Sequence, residues 1–87
     1  MKIILDGSLF IDKETSYEYL IDQLALPEYT GYNLDALWDV LMDCPTMEIE
    51  IIHARDILDH LGDYGWLLLD VFGDLLYETD HDVYLRW

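Results

Sequence analysis

The stretch Asn33-Leu34-Asp35-Ala36-Leu37-Trp38-Asp39-Val40-Leu41-Met42-Asp43-Cys44-Pro45-Thr46-Met47-Glu48-Ile49-Glu50-Ile51-Ile52 decides the fold, because its hydrophobic period changes partway along. Up to Asp43, the residues Leu34, Leu37, Trp38 and Leu41 recur at helical spacing. Asn33, a good N-cap, stands in front of them. The pair Cys44-Pro45 breaks the pattern. Met47 to Ile52 then alternates in part and is rich in β-branched residues, which predicts a strand. A helix gives way to a strand within a few residues.

Working outward, Lys2 to Leu5 is a short apolar run closed by the turn signal Asp6-Gly7, predicting a strand buried on both faces. Thr15-Ser16-Tyr17-Glu18 fits a capping box, in which the Thr15 hydroxyl and Glu18 carboxylate satisfy free amides at a helix start. Tyr17, Leu20, Ile21 and Leu24 follow at helical spacing until Pro27 stops the helix. Gly31 marks a turn before Asn33. Downstream, Ala54 to Leu61 reads as a short helix closed by Gly62. Asp63 can cap a longer helix in which Leu68, Val71, Phe72 and Leu75 share one face. Asp82 to Trp87 is a final strand. The order β-α-α-β-α-α-β predicts one α/β domain over residues 1–87, with right-handed crossovers. Its expected architecture is a three-stranded parallel β-sheet packed with about four helices, mainly on one face.

At 87 residues with 53% apolar side chains, the chain can bury one core. Nineteen acids face four bases, a formal net charge of −15. That balance opposes compaction and suits either solubility or attraction of a cationic partner. Direct binding to nucleic acid or to an anionic membrane is disfavoured, because both would be repelled. The single cysteine, Cys44, allows no internal disulfide and reads as a packed or idle thiol. An acid follows the first few residues too soon for a signal-peptide core, and no apolar run approaches the roughly 18 residues of a membrane span. A cytoplasmic protein is the expectation.

Nine acids and no base lie between Lys13 and Arg55, and eight more between Arg55 and Arg86. Asp35, Asp39 and Asp43 stand at i, i+4 and i+8, which puts three carboxylates on one helix face. Like charges at that spacing cost roughly 0.2–0.5 kcal/mol per pair, and no lysine offsets them. Trp38 sits at the edge of the apolar stripe nearest these carboxylates, with Tyr29 and Tyr32 just upstream. Acids around an aromatic make an interface able to anchor on a basic partner. They also make an ordinary solvated face over a core tryptophan, and pattern alone favours that plainer reading. An enzyme is disfavoured. None of His53, His60 and His81 has metal-ligand spacing, no phosphate-binding glycine motif occurs, and four bases are few for phosphate chemistry. No cofactor or metal is expected. His81, between Asp80 and Asp82, reads as part of a solvated turn.

The run Leu24-Ala25-Leu26-Pro27-Glu28-Tyr29-Thr30-Gly31-Tyr32-Asn33-Leu34-Asp35-Ala36-Leu37-Trp38-Asp39 resembles the signature segment of the barstar family of intracellular ribonuclease inhibitors. The likeness extends to length, element order and the Val71-Phe72 pair in the last helix. It implies an inhibitor that inserts this loop and helix into the cleft of a small basic ribonuclease of barnase type, one to one. By position, Asp39 would occupy the RNA phosphate site and meet arginine and histidine there, since arginine binds carboxylate as it binds phosphate. Asp35 would support that contact, and Tyr29 would pack on the catalytic histidine of the enzyme. Asn33, Leu34 and Trp38 would complete the centre. Asp43 belongs to the rim, and Asp74 stands where the family carries an acid on the last helix.

Departures from the family pattern are Thr30, where an aromatic is common, and Asp43-Cys44 in place of a glycine-plus-aromatic pair. Thr30 implies a lost stacking contact, Asp43-Cys44 implies an altered rim, and together with the excess charge they imply a target other than barnase. The rival reading is an acidic adaptor or nucleic-acid mimic that binds a different basic protein.

Overall fold

A computed structural model describes residues 2–87, and its elements follow the expected order. Strands β1 (Lys2–Asp6), β2 (Glu48–Ile52) and β3 (Asp82–Leu85) form one parallel sheet in the order β1-β2-β3. Lys2 pairs with Glu48 and Ile49 with Val83, so β2 is central. Helices α1 (Lys13–Gln23), α2 (Leu34–Asp43), α3 (Ala54–Leu61) and α4 (Asp63–Glu78) fill the connections. No helix among the described residues is long and apolar enough to cross a membrane.

The sheet has one covered face. Ile3, Leu5, Ile49, Ile51 and Val83 are buried against the helices. The opposite face carries Lys2, Ile4, Glu48, Glu50 and Tyr84. This corrects the two-faced burial expected for β1, because Ile4 is 52% exposed. An aliphatic run so short does not reveal that its alternate residues meet an ionic surface. Lys2 Nζ lies 3.7 Å from Glu48 and 3.5 Å from Glu50, and Arg86 pairs with Glu50 from the far side. That guanidinium holds the Glu50 carboxyl below the usual range.

Inside, Phe10, Tyr17, Leu20, Leu37, Leu41, Ile57, Leu68, Phe72 and Leu75 are fully buried over the strands. Two glycines permit the packing. A Cβ on Gly7 would stand 2.1 Å from the His53 carbonyl oxygen, and one on Gly65 would stand 2.6 Å from that of Ile57. Gly7 therefore lets the chain leaving β1 pass the end of β2, and Gly65 lets α3 and α4 touch.

Three helix boundaries differ from expectation. The N-cap of α1 is Asp12, whose carboxylate accepts from Thr15 N–H at 2.7 Å, so the Thr15–Glu18 capping box does not form. That bond stabilises the charged form and holds the Asp12 carboxyl below its usual range, so the cap is complete at neutral pH and is lost only as acid protonates it. At the other end α1 stops before Pro27. Leu26 N–H donates to Ile21 O at 2.9 Å and Ala25 N–H to Asp22 O at 3.3 Å, with Ala25 at φ 52°. This is a Schellman ending in which alanine stands where glycine is usual. Helix α4 begins after Gly62 at φ 59°, so Asp63 is its first helical residue and not its cap.

His81 contradicts the solvated-turn reading outright, since it is only 4% exposed. Met47 N–H donates to its Nδ1 at 3.1 Å, so Nε2 carries the proton and donates to Leu41 O at 2.9 Å. The ring thus ties the end of α2 and the start of β2 to the segment leading into β3, and neither nitrogen is left for a metal.

Replacing His81 with alanine strands the buried Met47 N–H and is expected to lower stability by roughly 1–3 kcal/mol, read as a lower urea midpoint. Ala25→Gly removes the left-handed strain and is expected to raise stability by about 0.5–1 kcal/mol, measured in the same titration.

Candidate functional site

The chain from Leu24 to Asp43 makes one continuous unit of loop and helix. Leu24, Leu26 and Thr30 point inward and are buried. Thr30 N–H and its hydroxyl both donate to Pro27 O, at 3.0 and 2.6 Å, closing a tight turn. Glu28 and Tyr29 are left at the outer tip, and Tyr29 is 86% exposed. Position 30 therefore faces the interior, which corrects the idea that Thr30 costs the rim a stacking surface. Tyr32 is held from below, its ring stacked on Tyr17 at 5.6 Å and 20°. Tyr17 bonds to Tyr64 through their hydroxyls, and burial pushes the Tyr17 phenol far up, so it stays neutral. Helical spacing marks Tyr17 as a core residue, but no local pattern carries its contact with Tyr32.

Asn33 caps α2 as expected, its Oδ1 accepting from Ala36 N–H at 2.8 Å. Leu37 and Leu41 are fully buried, whereas Leu34 and Trp38 are half-buried and pack against the core from its edge. Asn33, Asp35, Asp39 and Asp43 are exposed. Among the described residues no base pairs with these three aspartates. Lys2 and Arg86 are engaged on the sheet, and Lys13 Nζ sits 4.9 Å from the Tyr64 ring centroid. Cys44 is half-buried after the last turn, and burial pushes its thiol up, in keeping with a packed side chain.

Seven of the expected site residues, Tyr29, Asn33, Leu34, Asp35, Trp38, Asp39 and Asp43, thus share this unit. Asp74 does not. It is exposed on α4, a helix that packs against α2. The unit offers an exposed tyrosine, a tryptophan edge and three unpaired carboxylates on a rigid capped helix. Such a surface can meet a cluster of cations with paired, charge-assisted hydrogen bonds.

The family model described as Barstar (barnase inhibitor) matches residues 1–85. A protein of Bacillus subtilis (strain 168) that bears the name "Putative ribonuclease inhibitor YrdF" is 52% identical over 72 residues, 80% of this chain and 79% of that one. With the family match spanning nearly every residue and the parallel sheet and helix order as expected, the chain belongs to the barstar family.

Proposed function

We propose that this protein is an inhibitor of a small basic ribonuclease of barnase type, acting one to one by covering the active site with the surface from Tyr29 to Asp43. The observation that carries the reading is the row of Asp35, Asp39 and Asp43, exposed and without ion-pair partners among the described residues, beside a half-buried tryptophan. Family membership supports the partner class. Asp39 takes the place of an RNA phosphate in the cleft, where arginine donates two parallel hydrogen bonds to its carboxylate. Asp35 adds a second negative charge one turn away. Tyr29 and Trp38 supply rigid apolar area, and Asn33 and Leu34 fill the space between them. Asp43 lies at the rim. Asp74 on α4 extends the negative potential beside it and steers the partner in. The cytoplasm is the compartment in which such an inhibitor protects RNA.

Electrostatics give the mechanism a second component. In the free protein the three aspartates repel one another at i, i+4 spacing. Cations from the ribonuclease remove that repulsion on binding, so a feature that weakens the isolated helix strengthens the complex.

Asp39→Ala is expected to weaken binding to the ribonuclease by at least ~2 kcal/mol, as for a central hot spot. Thermal stability of the free protein should be unchanged or slightly higher, since one repulsive pair on each side is lost. Isothermal titration and a melting curve check both, and an unweakened complex would remove Asp39 from the mechanism. Association is expected to slow steeply between low and physiological salt, because steering is screened over a Debye length of about 8 Å at 0.15 M. Stopped-flow mixing at several salt concentrations measures it, and a flat profile would count against the acidic surface.

A further inference from the structure

We propose that the groove between α1 and the loop before α2 receives an arginine side chain of the partner ribonuclease, a contact that rests on the inhibitor reading above. The groove has a volume of about 420 Å³ and is open to solvent. Its apolar lining is Ile21, Ala25 and Leu26, and its acidic lining is Glu18, Asp22 and Glu28, with Tyr32 completing it. No base lines it.

Each part of that lining suits an arginine. Ile21 and Leu26 pack into the core behind the groove, so they offer a firm apolar wall for the three methylenes of the stem. Glu18 and Asp22 stand one helical turn apart, like charges on the same face of α1. Asp22 accepts a bond from Gln23 Nε2 at 3.2 Å, and no ion pair reaches either carboxylate among the described residues. Tyr32 is fixed by its stack on Tyr17, which makes it a rigid aromatic wall. A planar guanidinium can lie flat on a tyrosine ring while its edge donates paired bonds to a carboxylate, a match of shape that a point-charge ammonium lacks.

Position selects the partner. Glu28 and Tyr32 line the groove and belong to the same loop as the exposed Tyr29, so the groove adjoins the surface on which the ribonuclease is proposed to sit. The occupant is therefore a side chain of the same basic molecule. The groove also gives a role to acids at α1, on a different helix from the Asp35–Asp43 row.

The test uses the folded protein with methyl-labelled isoleucine and leucine. N-acetyl-arginine amide is titrated in by NMR, with the neutral citrulline analogue as control. The arginine probe is expected to shift the Ile21 and Leu26 methyl signals, the citrulline probe to leave them, and the double variant Glu18→Gln with Asp22→Asn to abolish the response. Shifts spread over all methyls, or a response that survives in the double variant, overturn the site. Against a barnase-type ribonuclease that the wild-type protein inhibits, the double variant should bind about tenfold more weakly, the scale of one charge-assisted contact. Unchanged affinity there, with Asp39→Ala still weakened, overturns the arginine contact and leaves the inhibitor reading standing. If the wild-type protein inhibits no barnase-type ribonuclease, the inhibitor reading fails and the arginine contact falls with it.

Discussion

Complete burial of Leu37 and Leu41 sets the rotation of α2 about its own axis, and the chemistry of the surface depends on that angle. Successive residues of a helix turn by about 100°, so fixing two of them inward directs Asp35, Asp39 and Asp43 to solvent. The angle is held from several sides. Asn33 caps the first turn, the buried Thr30 turn delivers the chain to it, and His81 grips the Leu41 carbonyl near the last turn. A helix secured at both ends can carry three like charges in a row without fraying.

Charge in this molecule is segregated by face. The outer side of the sheet holds the ladder of Lys2, Glu48, Glu50 and Arg86, which uses two of the four bases. Helices and loops carry most of the uncompensated acids. A net charge of −15 on 87 residues opposes compaction. What offsets it is one shared apolar interior, reached by all four helices because the sheet has a single covered face. The same geometry leaves every helix with an outward face on which carboxylates cost little, since water screens them.

Most element positions were legible in the chain because they rest on local pattern. The change of period between Asn33 and Ile52, the stop at Cys44-Pro45 and the glycine after Leu61 all describe the structure. The differences fall where two local options competed, or where the deciding contact is distant along the chain. Asp12 and Thr15 are both good caps, and the choice of Asp12 starts α1 earlier. Pro27 could end α1, but the Ala25 turn ends it sooner and tucks Leu26 into the core. His81 lies between two acids and looks solvated, yet its two partners are 34 and 40 residues away. No window of sequence contains those bonds.

By itself, the sequence determined the α/β order, the spacing of three aspartates on one helix, and the resemblance that named a family. Each of these is carried by residues that are neighbours along the chain. Tertiary structure decided which face of the sheet is covered, that Thr30 points in while Tyr29 points out, and that Glu18 and Asp22 share a groove with the loop beyond Ala25. The physical reason is that burial belongs to the packed whole. A residue one position along a strand or loop reverses its exposure, and only the elements folded over it settle which way it turns.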